Sequence, residues 1–200
     1  MTLSYNETMA YIMLGAFGFA LAYAFDWASL KQLAVIKQLI GLAAVFLLVF
    51  ATTMVCLTPE KLNLPFFTLP LGGCLLVISL CLLVYSLFIE IPFQNTYAKQ
   101  GVGDELITSG TYALVRHPGV IWLAFVYLSL ALLFPSTTLF IAVAIWMILD
   151  IIHVTLQERL FPRMFPDYPA YQQQTPFLVP NRQSLSTCLK TIKLRAKQRG

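Results

Sequence analysis

The chain has 200 residues, 58% of them apolar and only 11% charged, with a formal net charge of +4. Soluble domains carry about 25% charged residues. This composition therefore excludes an ordinary soluble domain and points to a membrane protein.

A spanning helix needs roughly 20 mostly apolar residues, and five stretches meet or approach that length. The first covers about Thr8 to Phe25. No Lys or Arg precedes it and its apolar part exceeds a signal-peptide core, so it is expected to stay in the mature protein. The second covers about Gln38 to Leu57, and the third about Phe66 to Ile89. Everything before Pro65 reads as scaffold, or as part of a lipid-facing cleft. The fourth and fifth, about Val120 to Phe134 and Thr138 to His153, are the shortest. FPST at Phe134 to Thr137 parts them, and they read as a tight helical hairpin that covers its own backbone polar groups. The fifth could instead continue past the membrane face.

Two polar pieces flank this hairpin, one from about Glu90 to Gly119 and the other from about Val154 onwards. They return to the same membrane face and could build one pocket. In the second, LFPRMFPDYPAYQQQTPFLVP is rich in Pro and aromatics, and repeated prolines argue against a continuous helix. An irregular segment over the interface is expected. LKTIKLRAKQRG, with Lys190, Lys193 and Lys197 at helical spacing, reads as a solvated, lipid-attracted end. The expected fold is all-α: five transmembrane helices, with a pocket between the loop before helix 4 and the segment after helix 5. Residues 1–183 form one membrane domain, its motif-bearing part being 101–180, and 184–200 form a basic tail.

Lys and Arg set the orientation. The first loop, the third loop and the tail hold 12 of the 13, and the opposite side holds only Lys61. The positive-inside rule then puts the N-terminus out and the C-terminus in the cytosol, which requires an odd number of spans. The membrane, bacterial inner membrane or endoplasmic reticulum, is left open, as is the oligomeric state. Cys56, Cys74, Cys81 and Cys188 form no Cys-x-x-Cys pair and read as free thiols.

Chemistry-bearing residues gather in the two polar pieces. Gly110, Tyr112, Arg116, His117, Pro118 and Gly119 lie within ten residues. Pro118 suits the first turn of a helix, where N–H groups lack partners. Arg116 and His117 then stand at the mouth of the fourth helix; alone, such an Arg would be a snorkelling anchor. Asp150, His153 and Gln157 share one helix face, with Glu158 about a quarter turn away. An acid as deep as Asp150 marks a site unless it snorkels or pairs, for example with Arg116. Metal binding is not expected, because the chain has two histidines and no cysteine near them at ligand spacing. Gly-x-Ser-x-Gly, Gly-x-Gly-x-x-Gly and P-loop segments are all missing, and no nucleic-acid partner is expected.

LITSGTYALVRHPGV, the following hairpin and QERLFPRMFPDYPAY together resemble the isoprenylcysteine carboxyl methyltransferase family, whose wider group includes the phospholipid methyltransferases. The resemblance covers roughly Gly101 to Pro180. It implies an integral membrane enzyme that uses S-adenosyl-L-methionine. It places Leu106, Ile107, Tyr112, His117, Pro118 and Gly119 around the cofactor, with Arg116 at the edge. The family's acidic pair falls on Gln157 and Glu158, which moves the cofactor-contacting carboxylate role to Glu158. A substrate-contacting Arg of the family falls on His153, the Tyr after Arg-His-Pro-x on Val120, and the Gly after Phe on Pro166. Arg116, His153 and Glu158 are thus the candidate catalytic residues. The implied reaction is methyl transfer to a lipid-like or small hydrophobic acceptor drawn from the bilayer. An NADPH-dependent membrane reductase of sterol or steroid type and a non-enzymatic membrane accessory protein stay open as alternatives.

Overall fold

The computed structural model describes residues 5–91 and 106–199, with side chains described over 6–91 and 106–194. The described residues contain helices and no strand. They form α1 (Tyr5–Leu30), α2 (Ala34–Cys56) and α3 (Thr68–Val84), the last running into a π-helical turn at Tyr85–Glu90. A 3-10 turn at Gly110–Ala113 precedes α4 (Pro118–Leu133), and α5 (Thr137–Met164), α6 (Tyr168–Gln174) and α7 (Arg182–Arg199) follow.

Among the described residues, four helices are long and apolar enough to cross a membrane: Asn6–Leu30, Ala34–Cys56, Thr68–Glu90 and Thr137–Met164. Pro118–Leu133 is apolar but shorter. Large apolar side chains such as Leu42, Phe46 and Val49 on α2 and Val77 and Ile78 on α3 face outward. A helix apolar all round with such a surface suits lipid as its solvent. At 1.5 Å per residue α4 measures about 24 Å and α5 about 42 Å. Against a hydrocarbon core of about 30 Å, α4 falls short and α5 must overshoot. Gln157 and Glu158 lie in the last two turns of α5, the part that exceeds a spanning length counted from Thr137.

Helix α1 packs against α2 and α5, while α3 packs against α4. Trp146, fully buried, fixes the α1–α5 contact by donating its indole N–H to the Ile12 carbonyl at 3.0 Å. Gly15 makes room for it, since a Cβ there would lie 2.5 Å from the indole ring. Tyr127, Ala131, Leu139 and Ala142 complete this core with Ala51 and Val55 of α2.

Two expectations are corrected. The α4–α5 pair is close from its turn, where Ser136 caps α5 by accepting the Leu139 N–H at 3.1 Å, to the contact of the Tyr127 and Trp146 rings at 5.6 Å. Beyond that ring contact α4 leans on α3 and α5 on α1, so the hairpin splays and leaves a hollow between its open ends. The Leu160–Pro180 stretch is not one continuous helix, as expected, but neither is it irregular throughout, since α5 and α6 both occupy part of it. Pro162 lies within α5, which persists to Met164. Its missing N–H costs a single bond near the helix end, and Pro169 sits in the first turn of α6, where no N–H is needed. Pro118 opens α4 as expected. All four cysteines are free, with Cys56 and Cys188 buried.

Candidate active site

The site begins at the π-helical end of α3. Glu90, buried, accepts the Thr111 backbone N–H with both carboxylate oxygens, at 3.1 and 3.0 Å. The Thr111 hydroxyl also donates to Glu90 Oε2. A carboxylate on the exposed N–H groups of a helical turn is favourable. The 3-10 turn is held on its other side by Thr191 of α7, whose hydroxyl accepts the Gly110 N–H at 3.0 Å. Gly110 has φ 69°, a left-handed conformation costly for a residue with a Cβ. Gly110→Ala is expected to lower stability by about 1–2 kcal/mol, read as an earlier thermal unfolding transition in detergent.

The chain then presents Arg116 and His117 to Glu158 of α5. Arg116 grips the carboxylate with two bonds, Nε to Oε1 at 3.0 Å and Nη2 to Oε2 at 2.9 Å. His117 Nε2 lies 2.6 Å from Oε1. Tyr168 donates to Oε1 at 2.7 Å and Gln172 to Oε2 at 2.6 Å. Five contacts fill the lone pairs that a carboxylate offers. Arg116 Nη1 donates further to the Thr175 and Gln172 carbonyls, at 2.6 and 3.1 Å. Its guanidinium is therefore committed to protein partners. Burial, and then donation to Glu158, push the Tyr168 phenol well above its ordinary range, so it stays a protonated donor. The knot ties the segment before α4 to the end of α5 and to α6.

A second polar group lies one turn deeper. Asp26 of α1 accepts from Gln157 Nε2 at 2.8 Å, and His153 Nε2 lies 2.8 Å from the same Oδ2. His153 Nδ1 stands 3.9 Å from Asp150 Oδ1. Asp150 is 6% exposed, and its Oδ2 has no hydrogen-bond partner among the described residues. Ser29 Oγ is likewise buried and without one.

Both groups border one cavity of about 320 Å³. Asp26, Ser29, Asp150, His153 and Gln157 form its polar end, while Leu87, Ile91, Leu106, Ile107, Leu123 and Phe161 give it apolar walls. This volume falls within the usual size of small-molecule sites, about 300–1,000 Å³. A Cβ at Gly119 would stand 3.2 Å from Leu87, so glycine lets α4 approach the π turn at the cavity wall.

Leu106, Ile107, Tyr112, Arg116, His117, Pro118, Gly119, His153 and Gln157 all line the cavity. Glu158 does not; it stands behind the wall inside the knot. The pairing of Asp150 with Arg116 is not seen, because Arg116 binds Glu158 and Asp150 faces His153. Sequence reasoning missed Asp26 and Ser29, which sit at the end of the first apolar run. It also missed Glu90 and the tyrosines Tyr168 and Tyr171, although the latter two lie in a quoted motif. Tyr171 donates to the Tyr112 carbonyl at 2.6 Å and so braces the opposite wall.

Comparison with known proteins gives one family match. Residues 69–166 match the family described as Phospholipid methyltransferase. No curated protein and no solved structure matches the chain. The matched stretch runs from the first turn of α3 to just past α5 and includes Glu90, Arg116, His117, Asp150, His153 and Glu158. Over residues 69–166, the stretch that carries most of the site, this chain is similar to the phospholipid methyltransferase family, a family of membrane methyltransferases.

Proposed function

We propose that this protein transfers a methyl group from S-adenosyl-L-methionine to a lipid-like or small hydrophobic acceptor, in the cavity between α1, α4 and α5. The observation that carries the reading is Asp150. It is a buried carboxylate on the cavity wall with an oxygen that no described residue engages. Its other oxygen faces His153 at 3.9 Å, and leaving one carboxylate oxygen buried without a hydrogen bond is costly, so a cationic ligand is a natural complement. The cofactor supplies a sulfonium methyl donor and an amino group, both positively charged. Asp150, with Asp26 and Ser29 beside it, would hold that charged end. Leu106, Ile107, Tyr112 and Phe161 would enclose the apolar part.

Residues of the knot act at one remove. Arg116 and Glu158 bring Tyr112, His117 and Pro118 to the wall and keep them there, which makes them positioning residues. Methyl transfer from a sulfonium needs alignment and exclusion of water more than acid–base help, and positioning alone can supply about 7–11 kcal/mol. An acceptor would reach the cavity sideways from lipid, past the apolar residues where α4 and α5 diverge. The positive-inside count supports a cytosolic mouth, five spans and an outer N-terminus.

Thermal unfolding of the detergent-solubilised protein tests the reading. S-adenosylhomocysteine is expected to raise the transition temperature, and NADPH to leave it unchanged. Stabilisation by NADPH alone would favour the reductase, and stabilisation by neither would overturn the assignment. A tritiated methyl group should also pass from the cofactor into the lipid extract of membranes containing the protein.

A further inference from the structure

We infer that α7 is an interfacial helix whose outer face seats on an anionic lipid surface. The surface is distinct from the cavity and does not rest on the methyltransferase reading. Asn181 and Ser184 fix its start by exchanging hydrogen bonds: the Ser184 N–H donates to Asn181 Oδ1 at 2.8 Å, and the Asn181 N–H to Ser184 Oγ at 3.0 Å. Ser184 and Cys188 are then buried, and Thr191 holds Gly110, so one face of α7 packs on the 3-10 turn. About a third of a turn away lies a second face that the protein leaves uncovered. Leu185 is 51% exposed, Leu189 54% and Ile192 38%, at spacings of four and three residues, which align them in one stripe. Val179, 79% exposed, precedes the helix.

Charge says what covers the stripe. From Arg182 onwards the sequence holds six Lys or Arg and no acid, whereas the residues before it hold seven cations against nine acids. The whole positive balance of the chain therefore lies in this one segment. On the helical wheel Arg182, Lys190 and Lys193 follow directly beside the apolar stripe. An apolar stripe flanked by cations, on a helix too polar to span, is the pattern of a helix lying in the headgroup layer. The phosphates of an anionic leaflet complement those cations. Trp27 at the nearby end of α1, with Lys31 at 5.5 Å from its ring, marks the interface level on the cavity side.

A tryptophan placed in the stripe reports what it touches. Leu189→Trp would be compared with wild type in lipid nanodiscs carrying brominated acyl chains, the difference emission being the added indole. In phosphatidylglycerol-rich discs this emission is expected to shift to shorter wavelength and to be quenched. Quenching should fall in phosphatidylcholine discs and be lost on combining Lys190→Glu with Lys193→Glu. Gln183→Trp, on the opposite face, should remain unquenched. All these positions are exposed, so folding is not at stake. Equal quenching in both lipids, or quenching indifferent to the charge reversals, would overturn the proposal. A blue-shifted but unquenched emission would put protein on the stripe and overturn it as well.

Discussion

Glu158→Ala is expected to be the most damaging single substitution outside the apolar core. The carboxylate receives Arg116 and His117 from the segment before α4 together with Tyr168 and Gln172 from α6. Its removal leaves the Arg116 guanidinium largely enclosed, with its main counter-charge gone. Breaking a buried ion pair from one side costs about 3–5 kcal/mol. Glu158→Gln should fare little better, because the amide NH₂ would confront Arg116 or Gln172, both donors. The check is thermal unfolding in detergent, followed by the intrinsic fluorescence of the three tryptophans. Both variants should unfold well below wild type and lose stabilisation by S-adenosylhomocysteine. A wild-type transition in Glu158→Ala would show that the knot does not hold the two segments together.

That knot was partly legible in the sequence. Arg116 and His117 stand before Pro118, and Pro118 opens a helix in the structure as its residue type dictates. Glu158 lies beyond the fifth apolar run, so a common membrane face for both follows from span parity alone. What could not be read was which donors Glu158 would collect. Two of its five contacts depend on α6 folding back, and the repeated prolines argued for an irregular segment there rather than a continuous helix. Pro162 and Pro169 do not break their helices because each occupies a terminal turn, where the lost N–H matters least, while Pro166 falls in the link between α5 and α6.

Asp26 was illegible for a different reason. It is one acid at the end of an apolar run, and hydropathy does not say which helix lies beside it. The decision is made by packing at Gly15, which admits the Trp146 indole and sets α1 directly against α5. The two helices run the same way, since Ile12 meets Trp146 and Asp26 meets His153 and Gln157 further along both. The splay of α4 from α5 has the same origin. Each helix of the hairpin finds a better partner outside it, and the cavity occupies the space between them.

Asp150→Asn should separate stability from function, in the opposite sense to Glu158→Ala. Asn has nearly the same shape, and the nearest charged partner of Asp150, His153 Nδ1, is already 3.9 Å away. Replacing a buried carboxylate that has a free oxygen removes a desolvated charge, which tends to leave a fold as stable or make it more so. The unfolding temperature of the ligand-free variant should therefore equal or exceed that of wild type. Binding should move the other way. A hydrogen bond to a charged group contributes about 1.5–3 kcal/mol, and each 1.4 kcal/mol is about tenfold in affinity. S-adenosylmethionine affinity, measured by equilibrium dialysis, should thus fall by about ten- to a hundredfold. Asp26→Asn should share the loss of affinity but not the gain in stability, because Asp26 Oδ2 already serves His153 and Gln157. If Asp150→Asn lost stability while keeping its affinity, Asp150 would be a support for His153, and the cationic end of the ligand would have to be sought elsewhere on the cavity wall.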